Sequence, residues 1–147
     1  MTVMISHEHI THSAEETMAL GRALAPTLKH THLVLLRGDL GAGKTTLAKG
    51  IAEGLNAASQ EDVTSPTFTL IHEYRGPEIN IFHVDLYRIE TARELETLGL
   101  DELLAEPGNL VLIEWGEKFP RLAKERDVEI AIERGGEQER TIVISTV

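Results

Sequence analysis

The residues best suited by type and spacing to do chemistry are Gly38-Asp39-Leu40-Gly41-Ala42-Gly43-Lys44-Thr45. They satisfy every fixed position of the phosphate-binding pattern G-x-x-x-x-G-K-[ST]. Gly38 and Gly43 let the main chain turn tightly and approach a polyphosphate with no Cβ in the way. The turn aims consecutive N–H groups inward, as an anion nest at the positive end of the helix that follows. Lys44 is then placed for the β- and γ-phosphates, and the Thr45 hydroxyl for Mg²⁺. Two acids are candidates to complete such a site. Ile79–Asp85 and Leu110–Glu114 are both apolar runs that end in a carboxylate. An acid at the carboxyl end of a strand sits beside the phosphate loop, where it holds Mg²⁺ or orients water. From the residues alone either Asp85 or Glu114 fits that role.

These groups need a strand before the loop, a helix after it and two further strands beside it. His32–Arg37 is a short apolar run suited to a buried strand. Leu47, Ile51 and Leu55 recur at helical spacing, and Gly54 and Asn56 suggest the helix end. Upstream, Ser13-Ala14-Glu15-Glu16 reads as a capping box that starts a helix running to about Ala25, where Pro26 is expected to kink or end it. Thr91–Gly99 reads as a short helix closed by glycine, and Leu100–Leu104 as a second. Pro107-Gly108-Asn109 makes a turn into the Leu110 strand. Val128, Ile130 and Ile132, then Ile142 and Ile144, alternate with polar residues around Arg134-Gly135-Gly136-Glu137, the pattern of a β-hairpin.

Three other features have more than one reading. Ser65-Pro66-Thr67-Phe68-Thr69 is rich in hydroxyls; it suits a turn into an edge strand or a loop that senses the γ-phosphate, and both readings stand. His7, His9 and His12 suit a solvated strand or arm better than a metal site, since no further ligands cluster with them. Trp115, the only tryptophan, is expected to pack the core rather than wall a pocket.

Length and charge set the outer limits. The 147 residues predict one domain spanning 1–147. No apolar run is long enough for a membrane span, the N-terminus lacks a signal-peptide pattern, and there are no cysteines, so a cytoplasmic protein is expected. The net charge is −10, with 14 Lys and Arg scattered against 24 Asp and Glu. Unaided binding to nucleic acid is not expected from such a chain.

The residues together predict an α/β fold: a phosphate-loop NTPase core with a mostly parallel central sheet flanked by helices, plus a C-terminal β-hairpin. ATP is the expected nucleotide, because no Asn-Lys-x-Asp stretch supports guanine. Hydrolysis is the leading activity. A small-metabolite kinase would need an acceptor site and an arginine-bearing lid, for which Arg88 and Arg93 are the nearest residues. A non-hydrolysing ATP-binding regulatory module would keep the loop without a water-orienting acid.

Four motifs occur in order: Gly38 to Thr46, Ser65-Pro66-Thr67-Phe68-Thr69-Leu70, His83-Val84-Asp85-Leu86-Tyr87-Arg88 and Ile113-Glu114-Trp115. Together they resemble the bacterial TsaE family, formerly YjeE, over nearly the whole chain from about residue 13. The resemblance implies an ATPase that uses ATP and Mg²⁺ in forming the threonylcarbamoyl modification on adenosine 37 of tRNAs reading codons that start with A. It implies work with a TsaD–TsaB heterodimer, weak hydrolysis alone and more with those partners, and contact with tRNA only through the complex. Gly38, Asp39, Leu40, Gly41, Ala42, Gly43, Lys44, Thr45 and Thr46 would then cradle the nucleotide. Thr45 and Glu114 would be the Mg²⁺ ligands, Lys44 and Asp85 would join Glu114 in catalysis, and Ser65–Thr69 would be a switch loop. Further nucleotide contacts would fall near Ser13–Glu16 and on Arg140.

Overall fold

The chain is described from a computed structural model over residues 5–39, 41–59, 63–64 and 70–146. In order it forms β1 (Ile5–Thr11), α1 (Ala14–Leu28), β2 (Leu33–Arg37), α2 (Lys44–Gly54), β3 (Ala58–Ser59), β4 (Val63–Thr64), β5 (Leu70–Arg75) and β6 (Asn80–Asp85). Then follow α3 (Ala92–Glu96), α4 (Leu100–Ala105), β7 (Asn109–Glu114), a 3-10 turn (Gly116–Lys118), α5 (Pro120–Glu125), β8 (Val128–Arg134) and β9 (Arg140–Thr146).

Among the described residues nine strands join in one sheet, ordered β1-β9-β8-β2-β7-β6-β5-β3, with β4 also on β5. The central four, β8-β2-β7-β6, are parallel, as expected of a phosphate-loop core. Both flanks are antiparallel. The C-terminal hairpin is therefore no appendage: β8 runs parallel to β2 inside the core, and β9 carries the sheet on to β1.

Side-chain alternation divides the apolar residues between the two faces. Leu33, Val34, Leu35 and Leu36 are all at most 2% exposed, because β2 is covered on both sides. Val34, Leu36, Ile81, Leu110 and Leu112 pack with Leu47, Ala48 and Ile51 of α2 and Ala25 and Leu28 of α1. Leu33, Leu35, Val84, Val111 and Ile113 face the other way, onto Leu95, Leu100, Phe119 and Leu122. Each fully buried aliphatic side chain is worth about 1.5–3 kcal/mol, which is what holds the edges of these strands in line.

The first helix starts at its expected cap. Ser13 Oγ accepts from the Glu16 N–H (3.1 Å), while Glu16 Oε1 accepts from the His12 N–H (3.0 Å), one residue before the cap. Its end departs from expectation: α1 runs through Pro26 to Leu28. Pro26 is exposed and its neighbours Ala25 and Leu28 are buried against α2, so packing outweighs the one backbone bond that proline removes. The two helices cross very closely. A Cβ on Gly50 would lie 2.2 Å from the Met18 carbonyl oxygen, and one on Gly21 would lie 2.6 Å from that of Leu47.

His7 and His9 lie on β1, opposite Ile144 and Ile142, and are exposed. Among the described residues no group of three metal-ligating side chains gathers, and no helix is long and apolar enough to cross a membrane.

Candidate functional site: the glycine loop and the acids of β6 and β7

Parallel pairing brings three strand ends to one edge. Leu36 is in register with Glu114, and Glu114 with Asp85, so the loop after β2 opens directly beside both acids. Glu114 follows Leu110 and Leu112 at period two, and Asp85 follows Ile81 and His83. These side chains therefore share the α2 face, with the polar groups one level beyond the apolar ones.

The loop's local geometry follows from its glycines. Gly43 holds φ 111° as the residue before α2, a conformation that a side chain would strain. Gly38 lies against β8: a Cβ there would sit 2.6 Å from the Ile132 carbonyl oxygen. The Ala42 N–H closes a turn on the Asp39 carbonyl (3.1 Å). Arg140, from the start of β9, donates through Nε to the Ala42 carbonyl (2.9 Å) and through a terminal nitrogen to the Glu139 carbonyl (2.9 Å). The hairpin is thereby tied to the loop. Leu40 and the hydroxyl-rich Ser65–Thr69 stretch lie outside the described residues.

At the base of the loop, Lys44, buried at 5% exposure, donates to the Gly38 carbonyl (2.6 Å) and pairs with Glu114 Oε1 (3.2 Å). The other Glu114 oxygen, Oε2, is 2.6 Å from His83 Nε2. Burial pushes the Glu114 carboxyl up. The hydrogen bond and charge of His83 and the charge of Lys44 together outweigh it, and the group titrates below the ordinary glutamate range. Glu114 is thus an anion at neutral pH, and the bridging hydrogen belongs to His83 Nε2. Asp85 Oδ1 accepts from the Tyr87 N–H (2.9 Å) and stays half-exposed.

Two pockets beside the loop hold residues expected at the site. One, of about 330 Å³, is lined by Gly41, Gly43, Lys44, Thr45, Thr46, Asp85 and Glu114. The other, of about 290 Å³, lies between the start of α1 and the hairpin and includes Ser13, Thr17, Thr46, Gln138 and Arg140. The Thr17 hydroxyl at its wall is held by Thr11 (2.7 Å). Every described residue expected at the site adjoins one of these pockets or the loop itself. The donor set of the first pocket suits a polyphosphate with a hard cation: a lysine, an exposed threonine hydroxyl and two carboxylates, all oxygen and charge.

Two residues do more here than sequence reasoning gave them. Trp115 does touch the second core cluster, but its ring also lies 4.7 Å from Lys44 Nζ and 5.3 Å from the Tyr87 ring, so it bounds the site as well as packing. Its φ of 65° is a left-handed conformation that costs a bulky residue about 1–3 kcal/mol. The other is His83. Its period-two relation to Asp85 was readable, but its partner on another strand was not.

Comparison with known proteins points to one family. Residues 11–142 match the family described as "Threonylcarbamoyl adenosine biosynthesis protein TsaE". The chain is 42% identical over 119 residues to a tRNA threonylcarbamoyladenosine biosynthesis protein TsaE of Rickettsia bellii, covering 81% of each chain. It is 41% identical over 133 residues to the protein of that name from Bacillus subtilis, covering 90% of this chain and 81% of that one. The crystal structure of YdiB from Bacillus subtilis superposes with a TM-score of 0.73 at 31% identity, covering 100% of this chain and 89% of the other.

Proposed function

This chain belongs to the TsaE family, and on that premise we propose that it is a Mg²⁺-dependent ATP hydrolase serving threonylcarbamoyladenosine formation on tRNA. The observation that carries the reading is the meeting of Lys44 and Glu114 at 3.2 Å in a pocket that Thr45 and Asp85 also line. In this reading the loop N–H groups and Lys44 bind the β- and γ-phosphates. Thr45 and Glu114 hold Mg²⁺, and Asp85 orients water or the shell of the ion. Bound Mg²⁺ supplies neutralisation of charge on the transferring phosphoryl group. The protein's own contribution is position and charge, which is most of what phosphoryl transfer asks of it. The pocket between Ser13, Thr17 and Arg140 takes the rest of the nucleotide.

The reading extends to partners. The resemblance to the family implies that a TsaD–TsaB heterodimer handles the tRNA, with this protein's hydrolysis resetting that complex between rounds in the cytoplasm. A net charge of −10, which makes the chain a poor ligand for tRNA, agrees with that division. The test is ATP turnover by the purified protein with Mg²⁺ or EDTA, with and without TsaD–TsaB. The expected result is slow Mg²⁺-dependent turnover, faster with the partners. Absence of turnover in every arm overturns the hydrolase; phosphate transfer to a small acceptor would favour the kinase instead.

A further inference from the structure

Glu114 has two oxygens and two partners, and the partners are not equivalent. Lys44 holds Oε1 at 3.2 Å but also donates to the Gly38 carbonyl, and in the reading above it must turn to phosphate. His83 holds Oε2 at 2.6 Å. It is 8% exposed and lies one level inside the Asp85–Glu114 level of the sheet, so it meets Glu114 from beneath. The pocket that Lys44, Thr45, Asp85 and Glu114 line does not include it. Its strand neighbours fix it there: Leu112 stands opposite on β7 and His72 opposite on β5, while Ile81 precedes it on the same face. An aliphatic residue would pack this level with no polar group to satisfy, so an imidazole here is costly unless its bond is used.

We propose that His83 is a positioning residue for the metal ligand: it grips Oε2 of Glu114 so that Oε1 alone is presented to the loop pocket once Lys44 leaves. This rests on the reading of Thr45 and Glu114 as the cation's holders. A carboxylate fixed through one oxygen keeps the rotamer that faces the ion, and loss of such a partner typically weakens metal binding without touching the ligand itself. The role is indirect, because His83 is not among the residues that line the pocket and reaches it through Glu114.

The test separates metal from nucleotide. His83→Leu keeps the volume without the donor, and His83→Gln restores a donor near the position of Nε2. Affinity for a fluorescent ATP analogue is measured in EDTA, and Mn²⁺ affinity of the nucleotide-bound protein is measured by electron paramagnetic resonance. In His83→Leu the Mn²⁺ affinity is expected to fall about 10–100-fold while the metal-free nucleotide affinity stays within about twofold. His83→Gln is expected to recover most of the loss. Mn²⁺ titrations of His83→Leu that overlay those of the unsubstituted chain overturn the inference. So does equal loss in the Leu and Gln variants, the signature of a packing role. Should the leucine variant not fold, His83→Asn, whose amide is too short to reach Glu114, replaces it against His83→Gln with the same expectations. If the nucleotide-bound unsubstituted protein takes up no Mn²⁺, the reading of Thr45 and Glu114 as the cation's holders falls, and this inference with it.

Discussion

Lys44 Nζ rests 3.2 Å from Glu114 Oε1, so the residue proposed to bind phosphate is held by the carboxylate proposed to bind metal. Each masks the other. Under the proposed function, phosphates that draw Lys44 away would also free an oxygen of Glu114, which would make occupation of the loop and readiness for the cation one event. A buried carboxylate left without its lysine would be costly, and binding Mg²⁺ is the natural replacement.

Lys44→Ala removes the principal phosphate cation, and ATP affinity measured by calorimetric titration is expected to fall about 100-fold, the worth of one to two charge-assisted bonds. Unchanged affinity would remove Lys44 from the phosphate site.

Glu114 titrates below its ordinary value because His83 and Lys44 favour its charge over the cost of burial. A carboxyl depressed in the folded state adds stability that is present above its unfolded pKa, about 4.3, and disappears as pH falls through the lower folded value. Without nucleotide or metal, Glu114→Gln is therefore expected to be less stable than the unsubstituted chain at pH 6–7, with the gap closing below about pH 4.3. Urea unfolding across pH checks this; a gap that widens toward acid would contradict it.

Gly50→Ala would put a methyl group 2.2 Å from the Met18 carbonyl oxygen. Alanine favours helix by about 1 kcal/mol over glycine, but backbone overlap costs about 1–3 kcal/mol or more, so a net loss of stability is expected. That should lower the melting temperature by several degrees, at about 2–4 °C per kcal/mol for a chain of this size. Gly136→Ala, whose Cβ would come no closer than 3.9 Å to another residue, is the control and should melt near the unsubstituted protein.

Arg140→Ala unties the hairpin from the Ala42 carbonyl and empties one wall of the pocket by α1. Nucleotide affinity is expected to drop about 10-fold with little change in folding, since the side chain is only half-buried. If affinity holds, the hairpin is not part of the nucleotide site.

The glycine loop, its lysine and threonine, and the two strand-end acids were legible because each is a local statement. A turn needs glycine, a helix start needs a cap, and a buried strand needs an apolar run. Of the two outcomes expected at Pro26, the helix end does not occur there, because its local cost is real but smaller than the burial of Ala25 and Leu28 on α2. Trp115 was half read for the reverse reason: its size announces packing, and nothing beside it in the chain announces Lys44.

Read alone, the chain discloses its stock of groups, a glycine loop with a lysine, a hydroxyl and two carboxylates, and a scaffold that alternates strands and helices. That β7 lies between β2 and β6, that Glu114 is level with both Leu36 and Asp85, and that His83 reaches Glu114 across 31 positions of chain is visible in the folded molecule alone. Strand order and register are settled by which apolar faces bury against one another over long separations, and that energy belongs to pairs of segments rather than to any one stretch of residues.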